Sequence, residues 1–203
     1  MSSLVFTKMN GAGNDFVMLD NRAGTIALSR EQIARVCDRH RGVGADGLIL
    51  VEHGDEEEFR MRYYNNDGGE AEMCGNGARC FARFAASLTA GCEDGLVFET
   101  PAGKIRAALL PDGHVRLGMS QPTTFVAARD LEVDGVIYSV WSINTGVPHA
   151  VIEVPDLECV DVPRLGSSLR YHPSFAPAGT NVNFLQIVRA DAGHIRTYER
   201  GVE

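Results

Sequence analysis

The 203-residue sequence has no apolar run long enough to cross a membrane. Its opening stretch, Met1 to Lys8, lacks the layout of a secretory signal and runs straight into a strand-like pattern. Clustered basic residues are also missing. Scattered Lys and Arg, 19 in all, face 27 Asp and Glu, giving a net charge of -8 and a pI near 5.2. That balance argues against a general binder of nucleic acid or of an anionic membrane. There are 5 cysteines, an odd number at irregular spacing, so no disulfide framework is expected and a reducing cytoplasm is the expected location. Cys74 and Cys80 are not at zinc-ligand spacing and no suitable His pair accompanies them, so no metal is expected. No lysine stands in a motif that demands pyridoxal phosphate, so no cofactor is expected. With 44% hydrophobic and 23% charged residues, the chain is able to bury a core as one large or two small domains.

What the sequence does have is a glycine-rich turn, Asn65-Asn66-Asp67-Gly68-Gly69, followed by Cys74-Gly75-Asn76-Gly77-Ala78-Arg79-Cys80. From Ala78 the pattern is helical: Phe81, Ala82, Ala85 and Leu88 recur at helical spacing, and Gly91 supplies a stop. Cys74 therefore falls at or just before a helix N-terminus. Free backbone N–H groups and the positive end of the helix dipole favour a thiolate there, so its pKa is expected below that of an ordinary cysteine. Gly75 and Gly77 let backbone amides approach an anion closely. Cys37, Cys80, Cys92 and Cys159 read as small buried hydrophobes instead.

The remaining pattern is of strands, with few helices. Strands are expected at Leu4–Lys8, Phe16–Asp20, Leu48–Glu52, Glu58–Tyr64, Leu96–Thr100, Gly103–Leu110 and His114–Met119. Ser29 with Gln32 forms a capping box for a helix through about His40. Ser120 to Asp130 reads as a connector, followed by strands at Val136–Ile143 and Ala150–Val154, a short helix at Pro163–Tyr171, and strands at Val182–Val188 and His194–Tyr198. Three segments repeat in order at one displacement of about 134 residues. Lys8–Gly13 echoes Ser142–Gly146, Gly42–Gly44 echoes Gly179–Asn181, and Arg62–Asn65 echoes Arg196–Glu199. Two duplicated domains follow, 1–119 and 120–203.

These motifs resemble the diaminopimelate epimerase family. Lys8-Met9-Asn10-Gly11-Ala12-Gly13-Asn14-Asp15-Phe16 is similar to its opening signature, and Asn65-x-Asp67-Gly68 through Cys80 to its first cysteine signature. Gly146-Val147-Pro148-His149, Gly179-Thr180-Asn181-Val182-Asn183-Phe184 and Tyr198-Glu199-Arg200-Gly201 resemble its later blocks. The resemblance implies an α/β (α+β) fold of two pseudo-symmetric domains, each a mixed sheet or barrel wrapped around a central helix. It implies an isomerase that interconverts LL- and meso-diaminopimelate without a cofactor, on a route to lysine and peptidoglycan precursors. Cys74 would be one acid/base cysteine. Gly75 and Asn76 would offer N–H groups to the α-carboxylate. Asn14, Asn65, Asn181, Glu199 and Arg200 would line the site and recognise the distal end. His149 receives no firm role, and Val147 stands where many members have Asn. The partner implied is the small-molecule substrate, with neither nucleic acid nor membrane; a homodimer is compatible with it.

Epimerisation needs a proton removed from Cα on one face and another returned on the opposite face, which two thiols accomplish. The family's second cysteine has no counterpart in these 203 residues. The second domain is therefore expected to be incomplete and the chain to turn over slowly or not at all. Two other readings stand beside this one: a different racemase or isomerase on the same duplicated fold, and a non-catalytic amino-acid-binding fragment.

Overall fold

The apolar runs Phe16–Leu19 and Leu48–Val51 are too continuous for strands with one wet face, and both lie buried on two sides. In the computed structural model, which describes residues 4–119 and 121–199, they belong to the first of two compact units, Met1–Met119. There β1 (Thr7–Gly11) and β2 (Asn14–Asp20) form a hairpin. Its two-residue loop is Ala12-Gly13, with both residues left-handed at φ 52 and 99, as tight hairpin turns require. The chain then passes through α1 (Arg30–Cys37) to β3 (Gly47–His53), parallel to β2, and returns antiparallel as β4 (Phe59–Asn65). A short β5 (Glu70–Ala71) pairs with β4. It is followed by α2 (Gly75–Ser87), β6 (Gly95–Thr100), β7 (Gly103–Leu109) and β8 (Val115–Gly118). The sheet order is β1-β2-β3-β4-β6-β7-β8.

One helix organises this sheet. α2 touches both edge strands, β1 and β8, and also β2, β3, β4, β6 and β7. A sheet whose two edges and middle all meet one helix is curled into a half-barrel around it. The helix is suited to that place by its small residues: Ala78, Ala82 and Ala85 recur at helical spacing and are 0% exposed. Without bulky side chains there, strand backbones approach closely on several sides. Phe81, also fully buried, fills the centre and packs on Phe98 at 4.5 Å between ring centroids.

The opposite face of β2 and β3 is covered by α1. Val17, Leu19, Leu48 and Leu50 alternate with the inward residues and pack against Ile33 and Cys37. α1 starts at a full capping box: the Gln32 N–H donates to Ser29 Oγ at 3.3 Å, and the Ser29 N–H donates to Gln32 Oε1 at 2.8 Å. Ser29→Ala should therefore cost about 1 kcal/mol, read as a lower urea midpoint at unchanged slope.

The second unit, Ser120–Glu203, holds a five-stranded sheet. It comprises β9 (Thr123–Val133), β10 (Val136–Asn144), β11 (Pro148–Glu153), β12 (Asn181–Arg189) and β13 (Ala192–Tyr198) in the order β13-β12-β11-β10-β9. Between β11 and β12 lies α3 (Val162–Arg170), whose Leu165 and Leu169 pack with Val140, Ile152, Val182 and Phe184. The internal echo has a topological counterpart. β1, β2, α1, β3, β4 and β10, β11, α3, β12, β13 run through the same antiparallel, parallel, antiparallel pairings.

Several details depart from the sequence reading. The first strand is Thr7–Gly11, not Leu4–Lys8. Residues 123–130 are not a connector, since β9 begins at Thr123 and pairs with β10. α1 ends at Cys37, short of His40. α2 begins at Gly75, ahead of the apolar periodicity at Ala78.

Candidate active site

In the first unit, Asn14 opens β2, Gly47 opens β3 and Asn65 closes β4, so all three lie at one end of the sheet. The turn after Asn65 leads through β5 to Cys74. Cys74 is the N-cap of α2, with extended φ -140 and ψ 118. Its Sγ accepts the Gly77 N–H at 3.4 Å, and its carbonyl accepts the Ala78 N–H at 2.7 Å. Sulfur is a weak acceptor compared with the oxygen of Ser, Thr, Asp or Asn, the preferred N-caps, and the first turn carries no acidic residue. The helix therefore keeps much of its positive end for an anion at Gly75 and Asn76, both half-buried. Gly77 packs closely: a Cβ there would stand 3.0 Å from Ile49 Cδ1, which would have to give by a few tenths of an ångström.

The other cysteines differ in kind. Burial pushes Cys37 and Cys80 up to about 11. Burial also raises Cys92, which is half-buried. Cys159 is exposed, not the buried hydrophobe expected, and a hydrogen bond to Asp156 raises it.

Behind Cys74 the asparagines are joined. Asn76 Nδ2 donates to Asn14 Oδ1 at 2.8 Å, and Asn14 Nδ2 donates to Asp46 Oδ2 at 3.2 Å. Asp46 also accepts from the Asp15 N–H at 3.1 Å and from Arg39 Nη2 at 2.7 Å. Hydrogen bonding from Arg39, with Lys8 assisting, holds Asp15 far below the usual carboxylate range. Asn65 is set by Tyr63, whose hydroxyl donates to Asn65 Oδ1 at 2.8 Å. Burial pushes the Tyr63 phenol far above its usual range, so it remains a neutral donor.

The second unit repeats the placement. His149 pairs with Asn181 across the parallel β11 and β12, and Glu199 follows β13 at the same end. Burial lowers the pKa of His149, and the charge of Glu199 opposes that shift. Asn183 lies beneath: its Nδ2 donates to the Ala150 carbonyl at 3.0 Å and lies 3.2 Å from His149 Nδ1. The Ala150 carbonyl only accepts, so the Asn183 amide nitrogen must face it. His149 Nδ1 is then an acceptor and the ring carries its proton on Nε2. Thr197 Oγ1 bonds Asn183 Oδ1 at 3.0 Å and completes this support.

Thus Cys74, Gly75, Asn76, Asn14 and Asn65 gather at one end of the first unit, and Asn181 and Glu199 at the matching end of the second. Arg200 lies outside the described residues. Asp46 and Asn183 were missed as functional supports because their partners are distant in sequence, although Asn183 belongs to a motif. Tyr63 meets Asn65 only two residues away, and the echo pointed near it, but nothing in the sequence shows that its hydroxyl turns to that side chain. Among the described residues, no group of three or more His, Cys, Asp or Glu is placed to hold a metal, and no helix is long and apolar enough to cross a membrane.

Solved structures that share this architecture include a phenazine biosynthesis protein of the PhzF family from Bacillus anthracis, with TM-score 0.67 and 16% identity. That alignment covers 98% of this chain and 72% of the other. A probable proline racemase from Agrobacterium radiobacter gives TM-score 0.68 at 17% identity, covering 96% and 69%. At that identity these likenesses speak for the fold alone. Sequence relatives go further. The diaminopimelate epimerase from Aquifex aeolicus is 45% identical over 213 aligned positions, covering 98% of this chain and 74% of the relative. That from Chlorobaculum tepidum is 42% identical, covering 96% and 75%. The family model for diaminopimelate epimerase matches residues 6–125, which include the Asn14, Asn65 and Cys74 cluster. By this match and by identity across both units, the chain belongs to the diaminopimelate epimerase family.

Proposed function

We propose that this protein interconverts LL- and meso-diaminopimelate, with Cys74 as the proton carrier on one face of Cα. The observation that carries the reading is the N-cap position of Cys74, a half-buried thiol at the positive end of a buried helix. As thiolate, Cys74 takes the Cα proton. The electron pair left behind spreads into the α-carboxylate, which the Gly75 and Asn76 N–H groups and the helix dipole stabilise. Inversion is complete only when a second acid on the opposite face of Cα returns a proton; the two-thiol chemistry gives that step to a second cysteine, which is not assigned among these 203 residues, so their own turnover is expected to be slow. The raised pKa values of Cys37, Cys80, Cys92 and Cys159 disfavour these four as that second carrier.

Asn14 and Asn65 hold the distal amino-acid end, joined by Asn181 and by Glu199 and Arg200, whose charges suit an ammonium and a carboxylate respectively. No metal or organic cofactor has a step in this scheme.

LL-diaminopimelate incubated in deuterium oxide tests the proposal. Meso product should appear with one solvent deuterium at the inverted Cα, and a chelator should not slow it. Inversion without deuterium uptake would exclude proton exchange through a thiol. A second variant examines the binding role. Tyr63→Phe removes the donor that orients Asn65, so KM should rise several-fold while kcat changes less. An unchanged KM would remove Asn65 from substrate recognition.

A further inference from the structure

Asn14 and Asn76 stand in a chain of hydrogen bonds whose two ends are of opposite, fixed polarity. At one end is the Asp46 carboxylate, which only accepts; at the other is Arg79, which only donates. Asn14 Nδ2 meets Asp46 at 3.2 Å, Asn14 Oδ1 meets Asn76 Nδ2 at 2.8 Å, and Asn76 Oδ1 meets Arg79 Nη1 at 3.4 Å. An asparagine amide has two orientations of nearly the same shape, and its neighbours decide between them. Here the decision passes along the chain. Inverting Asn14 would turn its oxygen onto the carboxylate of Asp46 and its nitrogen onto Asn76. Asn76 would then invert in turn and present its nitrogen to the Arg79 guanidinium. The junction between the two amides would be satisfied again, with Asn14 donating to Asn76, but both end junctions, at Asp46 and at Arg79, would set like against like.

We propose that Asp46 is a positioning residue that fixes the donor–acceptor polarity of Asn14 and, through it, of Asn76 in the first turn of α2 after Cys74. Of the two Asn14 N–H bonds, one is spent on Asp46 and the other remains for a ligand. The substrate therefore meets a defined donor edge, set by a carboxylate that it does not touch. Asp46 is itself well held. One oxygen accepts from Arg39 and the other accepts from Asn14 and the Asp15 backbone, while its own N–H donates to Asp15 Oδ1 at 3.0 Å. Its side chain is 22% exposed and that of Arg39 is 55% exposed. The ion pair with Arg39 by itself contributes little in such a wet setting, which leaves orientation as the chief consequence of Asp46.

The proposal rests on the catalytic reading of Cys74, so its test has an arm independent of activity. Asp46→Ala removes the acceptor of Asn14 Nδ2 altogether and cannot hold the polarity. Asp15→Asn is the control. Asp15 shares the Arg39 pair but touches neither amide of the chain with its side chain. In the first arm, the side-chain amide NMR signals of Asn14 and Asn76 are followed. Asp46→Ala should move both, although Asn76 lies one residue further along the chain, and Asp15→Asn should move neither. In the second arm, Asp46→Ala should raise KM for diaminopimelate about tenfold with kcat within about threefold. Asp15→Asn should leave KM within about twofold. An unmoved Asn76 signal in Asp46→Ala, or equal KM rises in the two variants, would overturn the proposal. If the wild-type protein neither binds nor turns over diaminopimelate, the catalytic reading fails and the NMR arm decides the relay alone.

Discussion

Cys74→Ala is expected to lower conversion of LL- to meso-diaminopimelate by about two to four orders of magnitude, the usual contribution of a positioned acid/base group. No neighbour is able to take its place: Cys80, six residues along the same helix, is buried and pushed up to about 11. Cys74→Ser sharpens the point. Serine is a far better N-cap than cysteine, so this variant should be as stable as the wild type or up to about 1 kcal/mol more stable. It should nevertheless lose nearly all turnover, because a hydroxyl does not carry the proton at neutral pH. Lost activity with retained stability separates chemistry from folding. A Cys74→Ser protein with more than about a tenth of wild-type turnover would remove Cys74 from the reaction.

Phe81→Ala should be the most damaging single change to the first unit. Phe81 is fully buried at the centre of α2, against Phe98 and within reach of strands on several sides of the curled sheet. Truncating such a residue costs about 3–5 kcal/mol, a large share of the 5–15 kcal/mol that typically stabilises a domain. The helix it anchors also carries Cys74, so the variant should lose the selective reactivity of that thiol even where it still folds. Urea denaturation reads the first effect and peptide mapping after alkylation the second. A stability loss below about 1 kcal/mol would mean that the sheet is not closed around α2.

Much of this was legible in the chain, because its strongest signals are local. The capping box at Ser29 and Gln32 involves residues three apart, and the helix after Cys74 announces itself through Phe81, Ala82 and Ala85. The start of α2 was harder to place because Gly75 and Gly77 have poor helix propensity and hide it. β9 was read in part as a connector for a different reason. From Thr123 to Ala128 it is exposed throughout, so no alternation of burial is imprinted on its sequence. The supports of the site were beyond reach. Asp46 meets Asn14 across 32 residues and Asn183 meets His149 across 34, contacts made only once the parallel strand pairs have formed. The internal echo has a counterpart in topology, in the four strands and one helix whose pairings the two units share.

The most direct measurement is the alkylation rate of each cysteine, mapped by peptide mass spectrometry, with and without diaminopimelate. Cys74 should react fastest of the five, and diaminopimelate should slow that reaction selectively while leaving Cys37, Cys80, Cys92 and Cys159 unaffected. Faster modification at Cys80 or Cys92, or no protection of Cys74 at saturating diaminopimelate, would contradict the placement of the reacting Cα at the N-terminus of α2.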